Sequence, residues 1–313
     1  MSRCPGLKKW AAKTMLITLA LPLPGVPAAQ ERLPVVATFS ILADVVARVG
    51  GEGVTVTALV PAGSDVHVFQ PGPHHARQLQ AARLVVSNGL GFEGWIDRLV
   101  RSSGYQGPVA VASQGIEPLR EDRHGHRHAG HAAHPDGADP HAWQSVPNMK
   151  RYASNIADAL CGVQPAGCSG FRASAGRYAV VLDELDREIR AGLATLPADR
   201  RKVITSHRAF AYFAREYEVQ MLSPVGISTD VEPSAAAVGR LIRQIRKERV
   251  NAFFVEGLSD PRLLERIRSE TGGSRPATLY ADGLSAPDGP AATYEAMMRH
   301  NARAIVAALS APP

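Results

Sequence analysis

The hydrophobic and polar positions of the chain form two alternating series of strand-like and helix-like segments. In the first half, short β-branched runs predict strands at residues 35–39, 54–60, 84–88 and 109–112, and the spacing between them predicts helices at residues 41–49, 74–82 and 94–102. The second half repeats this scheme, with strands at residues 203–205, 220–222, 252–255 and 277–280, helices that begin near Arg208, Pro233 and Pro261, and a last helix over residues 291–309. Strands that alternate with helices are typical of parallel sheets, so we expect an α/β protein with two Rossmann-like lobes.

Between the two halves, the apolar residues recur at intervals of three and four positions. Tyr178, Leu182, Leu185, Ile189 and Leu193 share one helical face, while charged residues occupy the other faces. A helix of about 25 residues spans about 37 Å, which is long enough to cross between two lobes. We therefore expect lobes at residues 29–167 and 198–313, joined by one long rigid helix at residues 168–197.

The first 28 residues have the composition of a secretory signal peptide. Four basic residues precede an apolar stretch at residues 15–23, and small residues follow it. This stretch is shorter than a membrane span, so we expect export to the periplasm and a soluble mature chain. Removal of the segment reduces the formal net charge from +6 to +2, and nucleic acid is therefore not an expected partner.

Two cysteines, Cys161 and Cys168, follow the predicted signal peptide. In an exported protein an even pair favours a disulfide, although two buried thiols remain the alternative. Their spacing excludes the CxxC pattern of many zinc sites. We therefore expect a structural role for the pair.

Histidine is the most informative residue type for function, because the chain has 11 of them. His67 and His207 each follow a predicted strand, and His141 precedes a predicted helix at residues 148–160. Open α/β sheets place ligand-binding groups at such positions. One histidine there is more often structural, but three together favour a metal site.

A carboxylate is expected to complete this site. Asp282 directly follows the last predicted strand, and Glu256 competes with it from the end of another strand. Either acid could instead cap a helix, pair with Arg208 or touch the ligands without binding the metal. Three imidazoles and one carboxylate match the closed tetrahedral shell of Zn²⁺.

A second group of histidines lies in residues 121–138, where polar, charged and small residues show no periodicity that could bury a face. This pattern predicts a loop. We expect it to be an auxiliary segment that captures metal weakly or recognises a loading partner. Its histidines are His124, His126, His128, His131 and His134.

Four segments of the chain resemble the motifs of periplasmic zinc-binding proteins that feed ABC importers, the cluster A-I solute-binding proteins of the zinc-uptake and TroA-like type. They are DVHVFQP at residues 65–71, DPHAW at 139–143, SHRAFAYF at 206–213 and YADGLS at 280–285. The resemblance implies one Zn²⁺ in the cleft between the lobes, held by His67, His141, His207 and Asp282. It also implies a monomer that delivers zinc to a membrane permease, with a periplasmic zinc chaperone as a further candidate partner.

The residue at position 207 bears on the choice of metal within this family. Manganese-binding members carry Glu where this chain has His207, so the histidine indicates zinc, and a manganese-binding member is the alternative. The chain departs from the family after the second motif, where Gln144, Ser145 and Val146 precede Pro147.

Two other classes of function fit the sequence less well. An exported zinc hydrolase normally keeps three protein ligands and a water, and the sequence has neither an HExxH helix nor a GxSxG turn. If Asp282 did not bind the metal, a water could do so, with Glu256 as its base. A metal-independent sugar or peptide receptor leaves the histidines without a role and normally has more aromatic residues than the 6% found here.

Overall fold

The computed structural model describes residues 1–2, 32–120, 137–257 and 260–310. Most of the predicted signal peptide and all five histidines of the predicted loop lie outside these residues. The first lobe contains a parallel sheet with the strand order β2-β1-β3-β4. Its elements are β1 (Leu33–Phe39), α1 (Ser40–Gly50), β2 (Val54–Val60), α2 (Pro73–Ala81), β3 (Leu84–Ser87), α3 (Ile96–Ser103) and β4 (Val109–Val111).

Two long helices follow the first sheet, α4 (Val146–Val163) and α5 (Cys168–Ala194). α5 is the long helix that the apolar spacing predicts, and its buried face carries Tyr178, Leu182, Leu185, Ile189 and Leu193. Cys161 in α4 and Cys168 at the start of α5 form a disulfide, as predicted. The described residues from Arg32 onward belong to one compact unit, and the proposed division into domains at residues 167 and 197 stays a prediction.

The second lobe repeats the topology of the first, with the strand order β6-β5-β7-β8 and parallel pairing throughout. The prediction of two parallel-sheet α/β lobes is therefore confirmed. The elements of this lobe are β5 (Lys202–Ile204), α6 (Ala211–Tyr217), β6 (Gln220–Leu222), α7 (Ala235–Glu248), β7 (Ala252–Glu256), α8 (Arg262–Thr271), β8 (Ala277–Leu279) and α9 (Tyr294–Ser310).

Two helices, α6 and α9, begin three residues later than the apolar spacing predicts. α6 begins at Ala211, and the backbone N–H of Arg208 instead donates to the carbonyl of Gly226 at 2.9 Å. α9 begins at Tyr294, because Thr293 Oγ1 accepts from the N–H of Ala296 at 3.2 Å in the manner of a helix N-cap. Specific hydrogen bonds thus override the apolar pattern at both sites.

A continuous apolar core joins the two lobes. Phe39, Trp143, Phe210 and Tyr294 are all buried in it, although they come from opposite halves of the chain. Because a closely packed core is hard to deform, it holds the residues at the carboxyl ends of the strands in fixed positions. Among the described residues, no helix has the length and apolar composition of a membrane span.

Candidate metal centre

Four side chains converge where the two lobes meet. His67 lies in the loop after β2, His141 precedes a short 3₁₀ helix (Ala142–Gln144), His207 follows β5 and Asp282 follows β8. One ligand atom from each of the four lies within 4.8 Å of the others. Since parallel strands all end at the same edge of a sheet, residues distant in sequence meet here.

Asp282 occupies the centre of this cluster. Its Oδ2 lies 3.1 Å from His207 Nε2 and 3.5 Å from His67 Nε2, and its Oδ1 lies 3.4 Å from His141 Nε2. The Nε2 atoms of all three imidazoles are buried and lack a well-aligned hydrogen-bond partner within the described chain, as does Asp282 Oδ1. Buried polar atoms in proteins nearly always have a hydrogen-bond partner. Four buried polar atoms that lack one and converge on a common position therefore fit a bound cation.

Two of the imidazoles are fixed from behind by carboxylates. Asp139 Oδ1 lies 2.8 Å from Nδ1 of His141 and accepts its backbone N–H at 3.0 Å. The Glu256 carboxylate contacts Nδ1 of His207 in the same way and accepts its backbone N–H at 3.1 Å. A proton on Nδ1 leaves Nε2 free to bind a metal, and such outer carboxylates are a common support for metal-binding histidines.

The electrostatics of the site centre on His207 and Asp282. Burial alone lowers the pKa of the His207 imidazole, but the carboxylates of Glu256 and Asp282 outweigh it and raise that pKa well above its ordinary value. Burial opposes ionisation of Asp282, but His207 and His141 hold its pKa well below its ordinary value. Together with Asp139, three buried carboxylates surround the site, which favours a cation.

The structure separates the two acids that the sequence left in competition. Asp282 lies among the three Nε2 atoms, whereas Glu256 lies on the Nδ1 side of His207. The disulfide of Cys161 and Cys168 lies between α4 and α5, outside this cluster. Sequence reasoning missed the role of Asp139, and its position two residues before a candidate ligand histidine was the available signal.

A family model described as zinc-uptake complex component A, periplasmic, matches residues 35–308. The chain belongs to this family. The manganese-binding lipoprotein MntA of Halalkalibacterium halodurans is 30% identical over 282 residues, which cover 90% of this chain and 89% of the relative. The iron-binding protein YfeA of Yersinia pestis is 30% identical over 266 residues, covering 84% and 82%.

The solved structures agree with this family assignment. The periplasmic zinc-binding protein TroA from Treponema pallidum superposes with a TM-score of 0.81 at 26% identity, covering 90% of this chain and 100% of that chain. Members of the zinc-uptake component A family are metal-binding, substrate-binding proteins that work with ABC transporter permeases and are not enzymes. Because similar proteins are described for manganese, iron and zinc, the family fixes a divalent metal but not which one.

Proposed function

We propose that this chain binds one Zn²⁺ through Nε2 of His67, His141 and His207 and the carboxylate of Asp282, and delivers it to the permease of an ABC importer. The convergence on one carboxylate of three buried Nε2 atoms that lack a well-aligned hydrogen-bond partner among the described residues is the observation that supports this proposal most directly. The carboxylates behind His141 and His207 hold both rings ready to bind, so little reorganisation is needed when the metal arrives.

The donor set favours zinc over manganese. Imidazole nitrogens suit zinc and other borderline metals, whereas manganese prefers oxygen donors. Only one of the four proposed ligands is an oxygen donor, and zinc commonly takes four ligands in such a set. Since relatives are described for manganese and iron, the metal held by the purified protein and the metal whose limitation makes the gene necessary are the decisive measurements.

The same geometry counts against a zinc hydrolase. Four protein ligands complete a tetrahedral shell and leave no position for the water that a catalytic zinc activates. Glu256, which would have been the general base, contacts the Nδ1 side of His207. The side chains of His67, His141 and His207 are at most 2% exposed, which suits a captured ion better than an extended substrate.

We further propose that the chain acts in the periplasm as a monomer and that the segment at residues 121–138 assists loading, with a zinc chaperone as a candidate donor. The predicted signal peptide and the family supply the argument for the compartment and the permease. The sequence composition of residues 121–138 supplies the argument for loading.

Metal content and competition titrations test the proposal. Protein purified without added metal should contain one zinc per chain by elemental analysis and native mass spectrometry. Most donor sets bind Zn²⁺ more tightly than Mn²⁺ or Fe²⁺, so titration of the metal-free protein against a competing chelator should show a zinc preference that is larger in the wild type than in His207→Glu. Cells that lack the chain should regain growth under zinc limitation with the wild-type gene but not with His207→Ala. A requirement for the gene under manganese limitation instead of zinc limitation, or rescue by that variant, would overturn the assignment.

A further inference from the structure

The backbone carbonyl of Ala281 accepts two side-chain hydrogen bonds from the first lobe. Trp143 Nε1 and Gln144 Nε2 each donate to it at 2.9 Å. Trp143 and Gln144 lie two and three positions after His141 in the chain, and Ala281 immediately precedes Asp282. These bonds therefore tie the segment of a first-lobe ligand to the segment of a second-lobe ligand.

The amide of Gln144 is oriented by this contact. The residue is fully buried, and its Oε1 has no hydrogen-bond partner in the described part of the chain. A flipped amide would place Oε1 against the Ala281 carbonyl oxygen, so only the observed orientation forms a bond. An unpaired buried oxygen costs stability, which a leucine of similar size would avoid. Gln144 therefore lowers stability through its unpaired Oε1, while its Nε2 donates to the residue that precedes Asp282. Residues that support a functional site are the ones expected to carry such a cost.

The segment on the other side of Asp282 is also bonded to the first lobe. The backbone N–H of Leu284 donates to Ser40 Oγ at 3.1 Å, and the N–H of Gly63 donates to the carbonyl of Leu284 at 3.3 Å. Asp282 is thus flanked by first-lobe hydrogen bonds, although β8 belongs to the second sheet. His207, in contrast, is braced by Glu256 from its own lobe.

We infer that Trp143 and Gln144 are positioning residues that hold Asp282 in place for the metal by clamping the Ala281 carbonyl. Asp282, whose strand belongs to the second sheet, is then also held by the first lobe. This inference rests on the proposed function, because it assumes that Asp282 binds the metal.

Variants that remove a donor test the clamp. Gln144→Leu removes the amide at nearly unchanged volume and is the principal test. Trp143→Phe removes the indole N–H and also shrinks a buried side chain that packs against His141. Each should weaken Zn²⁺ binding by about tenfold or more, as loss of an outer hydrogen bond does at other metal sites. The Co²⁺-loaded variants should show shifted d–d absorption bands, because Asp282 changes position. The metal-free melting temperature of Gln144→Leu should equal or exceed that of the wild type. Gln78→Leu, which removes another buried unpaired amide oxygen on α2, is the matched control and should leave affinity unchanged.

A double-mutant cycle separates positioning from general structural support. In an Asp282→Ala background, Gln144→Leu should cause no further loss of Zn²⁺ affinity, because the residue acts through Asp282. An equal loss in both backgrounds, or unchanged affinity in Gln144→Leu alone, would overturn the clamp while leaving the ligand set intact. Unchanged affinity in Asp282→Ala alone would overturn the proposed ligand set, and the clamp with it.

Discussion

Glu256 braces His207 from the side of the imidazole opposite the other proposed ligands. Its carboxylate contacts Nδ1 of the ring and accepts the backbone N–H of the same residue at 3.1 Å. Ser206 Oγ in turn accepts the N–H of Glu256 at 3.2 Å. The contact is possible because β7, which ends at Glu256, pairs directly with β5, which precedes His207.

Replacement of Glu256 by Gln should weaken zinc binding by about 10- to 100-fold, the usual cost of losing a carboxylate behind a metal-binding histidine. The amide oxygen can accept only one of the two N–H groups of His207 that the carboxylate accepts, and the amide no longer carries the negative charge that strengthens the donor. Chelator competition on the metal-free protein measures the change. Glu248→Gln on the surface helix α7 is the control and should bind zinc as the wild type does. Equal affinity for the two variants would show that the Glu256 charge does not support the site.

The fold was largely predictable because buried parallel strands are short apolar runs. β3 is buried at every position and β1 at nearly every position, so the sequence marks them clearly. The start of α9 was not predictable from spacing alone, since Thr293 Oγ1 and the carboxylate of Asp44, a residue some 250 positions away in sequence, bind its first N–H groups. Apolar periodicity carries no information about such distant partners.

The candidate site was predictable in composition but not in arrangement. Asp282 and Glu256 both follow strands of the second sheet, and β7 and β8 are neighbours, so both acids reach the same edge. Only the relative positions of the strands decide which acid faces Nε2 of His207 and which faces Nδ1. The clamp of Trp143 and Gln144 on Ala281 likewise joins residues from different lobes, which a single sequence does not reveal.

Changes at position 207 should alter both the strength and the preference of metal binding. His207→Ala removes a proposed ligand and should weaken zinc binding by more than the loss of its Glu256 brace does. His207→Glu supplies an oxygen donor in its place and should shift the ratio of zinc to manganese affinity toward manganese. Parallel titrations with both metals measure that ratio. An unchanged ratio of zinc to manganese affinity in His207→Glu would show that this residue does not set the metal preference.

Reduction of the disulfide between Cys161 and Cys168 should lower stability without releasing the metal. The two cysteines are seven positions apart in the sequence. The chain-entropy model gives a stabilisation of about 2 to 3 kcal/mol for a disulfide that closes so short a loop. The sulfurs lie outside the ligand cluster. Thermal melts of the zinc-free protein, with and without reductant, measure the first effect, and elemental analysis after reduction measures the second. Stoichiometric loss of zinc on reduction would show that the pair supports the site.

Asp44 should make the stability of the protein depend on pH. Burial raises the pKa of its carboxyl, and the nearby Glu295 adds to this. A carboxyl whose pKa is higher in the folded state binds protons more tightly there, so its ionisation destabilises the fold as pH rises above the ordinary value. In the wild type the Tyr294 N–H donates to Asp44 Oδ2 at 2.9 Å, and Asp44→Asn keeps an oxygen that can accept this bond. Because the variant removes the unfavourable ionisation, it should raise the melting temperature at pH 7. The gain should shrink as pH falls toward 4, whereas a gain that is constant with pH would exclude this cause.

Deletion of residues 122–137 should leave the tight zinc site intact. Arg120 and Ala138 pair as an antiparallel bridge, and the N–H of Asp139 donates to the carbonyl of Leu119 at 2.7 Å, so a short Gly/Ser linker can join the two ends without displacing His141. The deleted sequence has no apolar pattern to fix its histidines, and ordering it around a metal costs conformational entropy. We expect one tight zinc per chain to remain, weaker additional binding to disappear, and transfer from a zinc-loaded donor to slow down.

A length-matched variant with the five histidines of that segment changed to Ser separates histidine chemistry from loop length. It should lose the weak zinc binding and the rapid transfer as the deletion does, because metal capture depends on the imidazoles. Calorimetry gives the stoichiometry, and timed transfer from the donor gives the rate. If the serine variant transfers zinc at the wild-type rate while the deletion does not, the segment acts through its length or its contacts with the donor. Loss of the tight site in either folded variant would mean that the segment supplies a ligand to the transported ion.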